Sequence, residues 1–325
     1  MKEHSFYYPF TFKLESGEQL PELRLHFYTA GSLNADHDNI IWICHPLWLN
    51  GEVSQWWKHL VGSGKMFDTD HYFIIAADAL AGMGKSTGPL SFNPVTKKNF
   101  FHQFPSISIA DISNSFELLR EHLKINQLHS LVGVAMGAQV AASWQSMCPS
   151  LASNLVLIGG GSSLSNGGRS QYNLIKEVIE LDATWQLNSS KAGENSMPII
   201  MKLLKNLMAG AQSKLSDVNE VFAQLLEKIT VNPYSFILLS EASQKFKIKE
   251  NLLNRIKANC YILIADNDPF PDHEAHKRLA QDFDNAIVNF IPSSMGSFTY
   301  YGEPAYIERL LKNYNLPHQY KQKLA

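Results

Sequence analysis

At 325 residues, 45% hydrophobic and 18% charged, the chain is long and apolar enough to bury a large core, as one domain with an insertion or as two. A formal net charge of −2, with no sustained Lys/Arg cluster, gives no electrostatic footprint for nucleic acid and excludes it as a partner. The first residues mix charge with aromatics, and no apolar run is long enough to span a bilayer, so a cytoplasmic location with no membrane partner is expected.

The first predicted element is a β-hairpin over residues 6–29, in which 10–14 and 23–28 alternate around a Ser16-Gly17 turn. The pattern then changes. Residues 40–44, 72–77, 131–134, 155–158, 261–264 and 286–291 are short, mostly continuous apolar runs. Strands covered on both faces read this way, whereas a half-exposed strand alternates, so a mostly parallel sheet is predicted. Helical spacing over 109–123, 138–147, 274–282 and 304–314 supplies the crossovers. From 165 to about 246 no strand is predicted, and 172–180, 197–209 and 217–226 carry apolar residues at helical spacing. Residues 166–170, with two glycines, and 191–198 read as loops. The chain thus divides into a first part of an α/β core, 1–164, a helical cap or lid insertion, 165–246, and a second part of the core, 247–325. Cys44, Cys148 and Cys260, odd in number and widely spaced, read as reduced thiols, and no His/Cys/Asp/Glu cluster has metal-ligand spacing.

One stretch organises the rest. Residues 128–142 run from an apolar strand through two glycines into an apolar helix, and their centre, Gly133-Val-Ala135-Met-Gly137, has the form of a G-x-S-x-G nucleophile elbow with alanine in place of serine. Taken alone, glycines in a strand-turn-helix are also ordinary α/β packing. Six strands after an antiparallel hairpin match the order of the α/β-hydrolase fold. Gly82-Met-Gly84-Lys85-Ser86 lacks the four-residue gap of a phosphate loop, so no phosphate site is expected there. The aromatic pairs Trp56-Trp57 and Tyr300-Tyr301 read as packing or pocket wall.

Around the elbow stand His45-Pro-Leu47, Trp56-Trp57, Gly62-Ser-Gly64-Lys65, Asp68-Thr-Asp70, Gly84-Lys-Ser86-Thr87-Gly88-Pro89, Asn93-Pro94, Phe104-Pro105 and Asp111. In this order and spacing they resemble the homoserine O-acetyltransferases of the α/β-hydrolase superfamily. The elbow is similar to that family's Gly-Gly-Ser-Met-Gly-Gly, and Lys176, Ile179, Asp182 and Trp185 resemble a family helix reading Arg-x-Ala-Ile-x-x-Asp-Pro-x-Trp. The resemblance implies ping-pong chemistry, in which a serine takes an acetyl group from acetyl-CoA and passes it to the hydroxyl of homoserine. Such chemistry needs a histidine base, an acid to orient it, and two N–H groups for the oxyanion. Carried over residue by residue, Ala135 holds the nucleophile position, and the N–H groups of Leu47 and Met136 are the oxyanion donors. Asp268, in Ala265-Asp-Asn-Asp268-Pro-Phe-Pro271, holds the acid position, with Asp266 the weaker alternative, and Ser297 holds the histidine position. Trp48, where the family has threonine, and Lys176 are the substrate-binding candidates. His45 reads as a structural group bonded to backbone, and the histidines beyond Asp268 are His273, His276 and His318, none in the loop that carries the family's base.

Two of three triad positions therefore carry side chains unable to perform the family chemistry, a loss on the order of 10⁴ to 10⁶ in rate. The expectation is a catalytically inactive homologue that retains a binding role toward an acyl-CoA, an amino-acid-like ligand or a partner protein. No cofactor is expected bound; acetyl-CoA is the acyl donor if the chain is active. The alternative is a working serine or homoserine O-acyltransferase or hydrolase, with Ala135 an engineered replacement of serine or the nucleophile relocated to Ser86 or Ser297. The resemblance also implies a homodimer through the cap, or pairing with an active paralogue.

Overall fold

The computed structural model of the chain describes residues 1–208, 231–248, 256–281, 285–314 and 316. The helix expected over 217–226, and His318, lie outside them. Eight strands form the main sheet: β1 (Lys2–Tyr8), β2 (Leu23–Ala30), β3 (Ile40–Cys44), β4 (Phe73–Ala77), β5 (Leu128–Val134), β6 (Ala152–Ile158), β7 (Asn259–Ala265) and β8 (Ala286–Ile291). Their spatial order is β1-β2-β4-β3-β5-β6-β7-β8. The first three in space are antiparallel neighbours, and every pairing from β4 to β8 is parallel. All five residues of β3 are buried, as the unbroken run Ile-Ile-Trp-Ile-Cys requires.

The N-terminal hairpin is wider than its sequence suggests. β1 pairs with β2 from Lys2 opposite Thr29 to Tyr8 opposite Leu23. The Ser16-Gly17 turn closes only a two-residue ribbon, Phe12–Lys13 against Gln19–Leu20. Pro9, which has no N–H to donate to a ladder, separates the two pairings.

Seven helices of nine residues or more are described: α1 (Ile109–His122), α2 (Met136–Met147), α3 (Asn166–Glu180), α4 (Met197–Met208), α5 (Pro233–Lys245), α6 (His273–Gln281) and α7 (Pro304–Asn313). A capping box starts α1, where the Ser108 hydroxyl accepts from the Asp111 N–H and the Asp111 carboxylate accepts from the Ser108 N–H. Eleven of the twelve residues of α2 are buried, because this helix lies between the sheet and α1. There Trp144 meets Trp42 edge-on at 5.0 Å and Phe116 lies 5.9 Å from Trp42; each ring contributes about 2 to 3 kcal/mol of burial.

Residues 166–170 are not a loop. They are the first turn of α3, and the Ser165 hydroxyl caps it by accepting from the Gly168 N–H at 2.8 Å. The glycines serve close packing: a Cβ on Gly168 would stand 2.7 Å from the Phe270 carbonyl oxygen. Among the described residues no strand occurs between 165 and 246, and no helix is long and apolar enough to cross a membrane. Cys44 and Cys260 are buried, Cys148 is half-buried, and all three are free thiols.

Parallel strands all end on the same edge of a sheet, so the loops after β3, β5, β6, β7 and β8 gather there. They carry His45 to Trp48, Ala135, Gly159-Gly160, Asp266 to Asp268, and Ser293 to Tyr300.

Candidate active site

Ala135 sits between β5 and α2 with φ 51° and ψ −117°, a conformation L-residues avoid. Its N–H donates to the Ile158 carbonyl at 2.7 Å, and its carbonyl accepts from the Ala138 N–H at 3.0 Å. The turn is tight because α2 crosses the end of β3 at backbone contact: a Cβ on Gly137 would stand 2.1 Å from the Cys44 carbonyl oxygen. The strained elbow is thus complete in its backbone and lacks only a side-chain nucleophile.

Leu47 and Met136, the two expected oxyanion donors, are buried, and neither N–H has an acceptor among the described residues. Two buried N–H groups without acceptors are uncommon, and a site that receives a developing oxyanion is where they are expected. The loop carrying Leu47 is fixed by His45 and Asp78. His45 Nδ1–H donates to the Pro46 carbonyl at 2.8 Å, and Nε2 accepts from the Ala79 N–H at 3.0 Å. Burial holds this imidazole neutral, although the charge of Asp78 opposes it. Asp78 accepts from the N–H groups of Gly51 and Lys85, each at 2.7 Å.

Asp268 is 5% exposed, and its carboxylate accepts from the Ser297 hydroxyl at 2.6 Å, the Tyr300 hydroxyl at 2.7 Å and the Phe270 N–H at 3.0 Å. Burial raises its pKa, and the bonds from Ser297, Tyr300 and Phe270 offset only part of that rise. Tyr300 is itself anchored, its carbonyl accepting from Trp57 Nε1 at 2.9 Å and its hydroxyl from the Ala265 N–H at 3.2 Å. Burial and the Asp268 charge keep the phenols of Tyr300 and Tyr301 protonated. The pocket acid therefore faces two hydroxyls where a triad would have an imidazole. Asp266, the weaker acid candidate, is exposed and accepts from the Ser293 N–H.

A cavity of about 40 Å³ lies over Ala135, lined among others by Leu47, Trp48, Asp268, Ser297 and Tyr300. It holds about three water molecules. Its upper wall comes from the helical segment: Trp48 stacks on Phe236 of α5 at 4.7 Å, Phe236 meets Tyr172 of α3 at 5.9 Å, and Tyr172 meets Phe270 at 5.3 Å. Below this stack, Ser243 of α5 donates its hydroxyl to Gln139 Oε1 at 2.6 Å.

The structure thus brings Ala135, Leu47, Trp48, Asp268 and Ser297 to one cavity, with Met136 following Ala135 at the head of α2. Lys176 stands apart, its ammonium 2.5 Å from Glu241 and 3.7 Å from Glu180. Ser86 is buried elsewhere, donating to the Asp78 carbonyl and accepting from the His26 N–H. Among the described residues no histidine lines the cavity. His273 Nε2 bonds the Asp268 carbonyl at 3.2 Å, and His276 is buried between the Asp272 carbonyl and the Ser162 N–H. The sequence reading missed Tyr300 as a partner of the acid; its only signal was a position three residues after Ser297, one helical turn on.

A strained strand-to-helix elbow at the carboxyl edge of a β1-β2-β4-β3-β5-β6-β7-β8 sheet defines an α/β-hydrolase, and the family profile described as "alpha/beta hydrolase fold" matches residues 40–294. Within that superfamily the chain belongs to the homoserine O-acetyltransferase family. It is 30% identical over 262 residues to the homoserine O-acetyltransferase of Leptospira biflexa, covering 77% of this chain and 68% of that protein. With the homoserine O-acetyltransferase of Cyclobacterium marinum it shares 34% identity over 197 residues, 61% of this chain and 56% of the relative. The matched stretch thus spans little more than half the length of that relative. Esterase E22 has the same fold, with a TM-score of 0.84 at 20% identity over 96% of this chain and 99% of the esterase. So does the homoserine O-acetyltransferase from Bacillus anthracis, with a TM-score of 0.84 at 18% identity over 96% of each chain.

Proposed function

We propose that this homoserine O-acetyltransferase-like protein does not carry out acyl transfer and acts instead by binding a small ligand, an acyl-CoA or amino-acid-like molecule, or a partner protein. The observation that carries this reading is the state of Asp268: its carboxylate is occupied by Ser297, Tyr300 and the Phe270 N–H, and the elbow beside it presents a methyl group. Among the described residues no histidine lines the cavity to take a proton from a nucleophile. A cavity of about 40 Å³ is much smaller than the 300 Å³ or more of common ligand pockets, so any ligand there, substrate or not, has to displace lining side chains such as Trp48 and Tyr172. The test is a steady-state assay with acetyl-CoA and homoserine. Turnover at or above about 1 s⁻¹, an ordinary enzyme rate, overturns the proposal.

The intact elbow strain and the unpaired N–H groups of Leu47 and Met136 favour a second reading: a working acyltransferase or hydrolase whose gene encodes serine at position 135. Sequencing the genomic codon separates the two. A cytoplasmic setting and pairing through the cap, with a second copy or an active paralogue, belong to the first reading. Co-purification with the paralogue, or a dimer in sedimentation, tests the pairing.

A further inference from the structure

A second cavity lies away from the elbow. It encloses about 170 Å³ where the start of α1, the end of α2 and the end of α5 meet. The lining residue on α2 nearest the elbow is Ser143, eight residues and about 12 Å along the helix from Ala135, and the two cavities share no lining residue. The cavity is therefore separate from the catalytic remnant. Its floor is apolar, built from Ile109, Met147, Ala242, Phe246 and Ile248.

The polar groups around it point to an anion. Ser143, 6% exposed as a residue, lines the cavity, and its hydroxyl, accessible from the cavity, makes no hydrogen bond among the described residues. Ile109 and Ala110, the first two residues of the 14-residue α1, also line it, and their N–H groups have no acceptor among the described residues. Lys245 and Lys247 line it with one carboxylate, Glu15, while the Asp111 carboxylate turns back to the Ser108 and Glu15 N–H groups. Lys245 is only loosely held, 3.6 Å from a Glu241 that Lys176 engages at 2.5 Å.

We infer that this cavity is a binding site for a medium-chain carboxylate, its head at the Ser143 hydroxyl, the α1 amides and the two lysines, and its tail on the apolar floor. The volume sets the length: a closed apolar cavity of about 150 Å³ takes benzene, so about 170 Å³ open at one side takes a tail of about six to eight carbons. The amides and the hydroxyl supply oriented donors that a neutral head does not need, and the lysines supply charge.

Calorimetric titration of the full chain with octanoate tests the inference, with octan-1-ol and acetate as the neutral and tail-less probes. Octanoate is expected to bind with a Kd below about 1 mM, and each control at least about tenfold more weakly. Ala242→Trp fills the floor and abolishes octanoate binding. The double substitution Lys245→Glu with Lys247→Glu, at exposed positions, weakens octanoate by about tenfold or more and leaves octanol unchanged. Absence of octanoate binding at 10-fold above 1 mM, equal binding of octanol, or unaltered octanoate binding in the lysine variant overturns the assignment. If Ala242→Trp loses its native circular dichroism, the lysine variant alone decides.

Discussion

Rebuilding the missing side chains measures how much of the catalytic frame survives. Ala135→Ser restores a hydroxyl at the elbow, facing the acceptor-free N–H groups of Leu47 and Met136. It restores no base, because among the described residues no imidazole lines the cavity. Adding Ser297→His replaces the hydroxyl that sits 2.6 Å from Asp268 Oδ1, so the new ring can donate to the same oxygen while Tyr300 keeps the other at 2.7 Å. A positioned general base contributes about 10² to 10⁴ in rate, or about 3 to 5.5 kcal/mol of barrier. The imidazole is larger than the side chain it replaces, and the cavity of about 40 Å³ must accept the difference, which places the expected gain at the lower end of that range. The assay is burst and steady-state release of p-nitrophenol from its acetyl ester, a substrate needing little room. The single Ala135→Ser variant should stay within about tenfold of the parent chain, and the double variant should exceed it by about 10². If Ala135→Ser alone reaches about 1 s⁻¹, a base exists outside the described cavity and the reasoning fails. It also fails if the double variant, folded by circular dichroism, is no faster than the single one.

Two further outcomes follow from the packing and the charges. Gly137→Ala drives a Cβ to 2.1 Å from the Cys44 carbonyl oxygen, backbone against backbone, and should destabilise the chain by more than about 3 kcal/mol in a urea melt. Asp182 is raised by burial, but hydrogen bonds from Thr184, Ser196 and Asn195 outweigh this and hold its pKa down to about 2. A lowered carboxylate stabilises the fold above the unfolded value of about 3.9, and that contribution is lost as pH falls through about 2. Asp182→Asn should therefore lower the melting temperature at pH 6 and flatten its fall between pH 4 and pH 2. Asp268, whose pKa is raised, acts in the opposite sense and cannot supply that acid limb.

The centre of the sheet was legible because a strand covered on both faces spells an unbroken apolar word, as β3 does in Ile-Ile-Trp-Ile-Cys. The edge strand 286–291 was read to the residue from its apolar composition, although only Ile291 is buried and Ile287 is exposed. The first strand was misplaced because Phe12–Lys13 and Gln19–Leu20 alternate as well as Lys2–Tyr8 does, and only tertiary pairing chooses between them. Gly167-Gly168 looked like a loop because glycine disfavours helices; here the helix accepts the weaker propensity in exchange for contact with the Phe270 backbone. The strand-turn-helix at Ala135 and the loops that bring Leu47 and Asp268 to one cavity were visible as ordered motifs. The Tyr300 bond to Asp268 and the Trp48–Phe236 stack were not, since the stack joins residues 188 positions apart and no local pattern records such a meeting. The cavity at the far end of α2 and α5 was hidden for the same reason.

Ala135 keeps a left-handed, strained conformation although it has no hydroxyl to present. That strain, on the order of 1 to 3 kcal/mol, persists because Gly137 is locked against the end of β3, so the turn belongs to the strand-helix joint and not to the reacting group. The four alanine codons, GCN, each differ from a serine codon, UCN, at the first base alone. Gain or loss of the hydroxyl at the elbow is thus a point change on an unchanged backbone, and what separates a silent scaffold from a reactive one is the base at position 297 and not the fold of the turn.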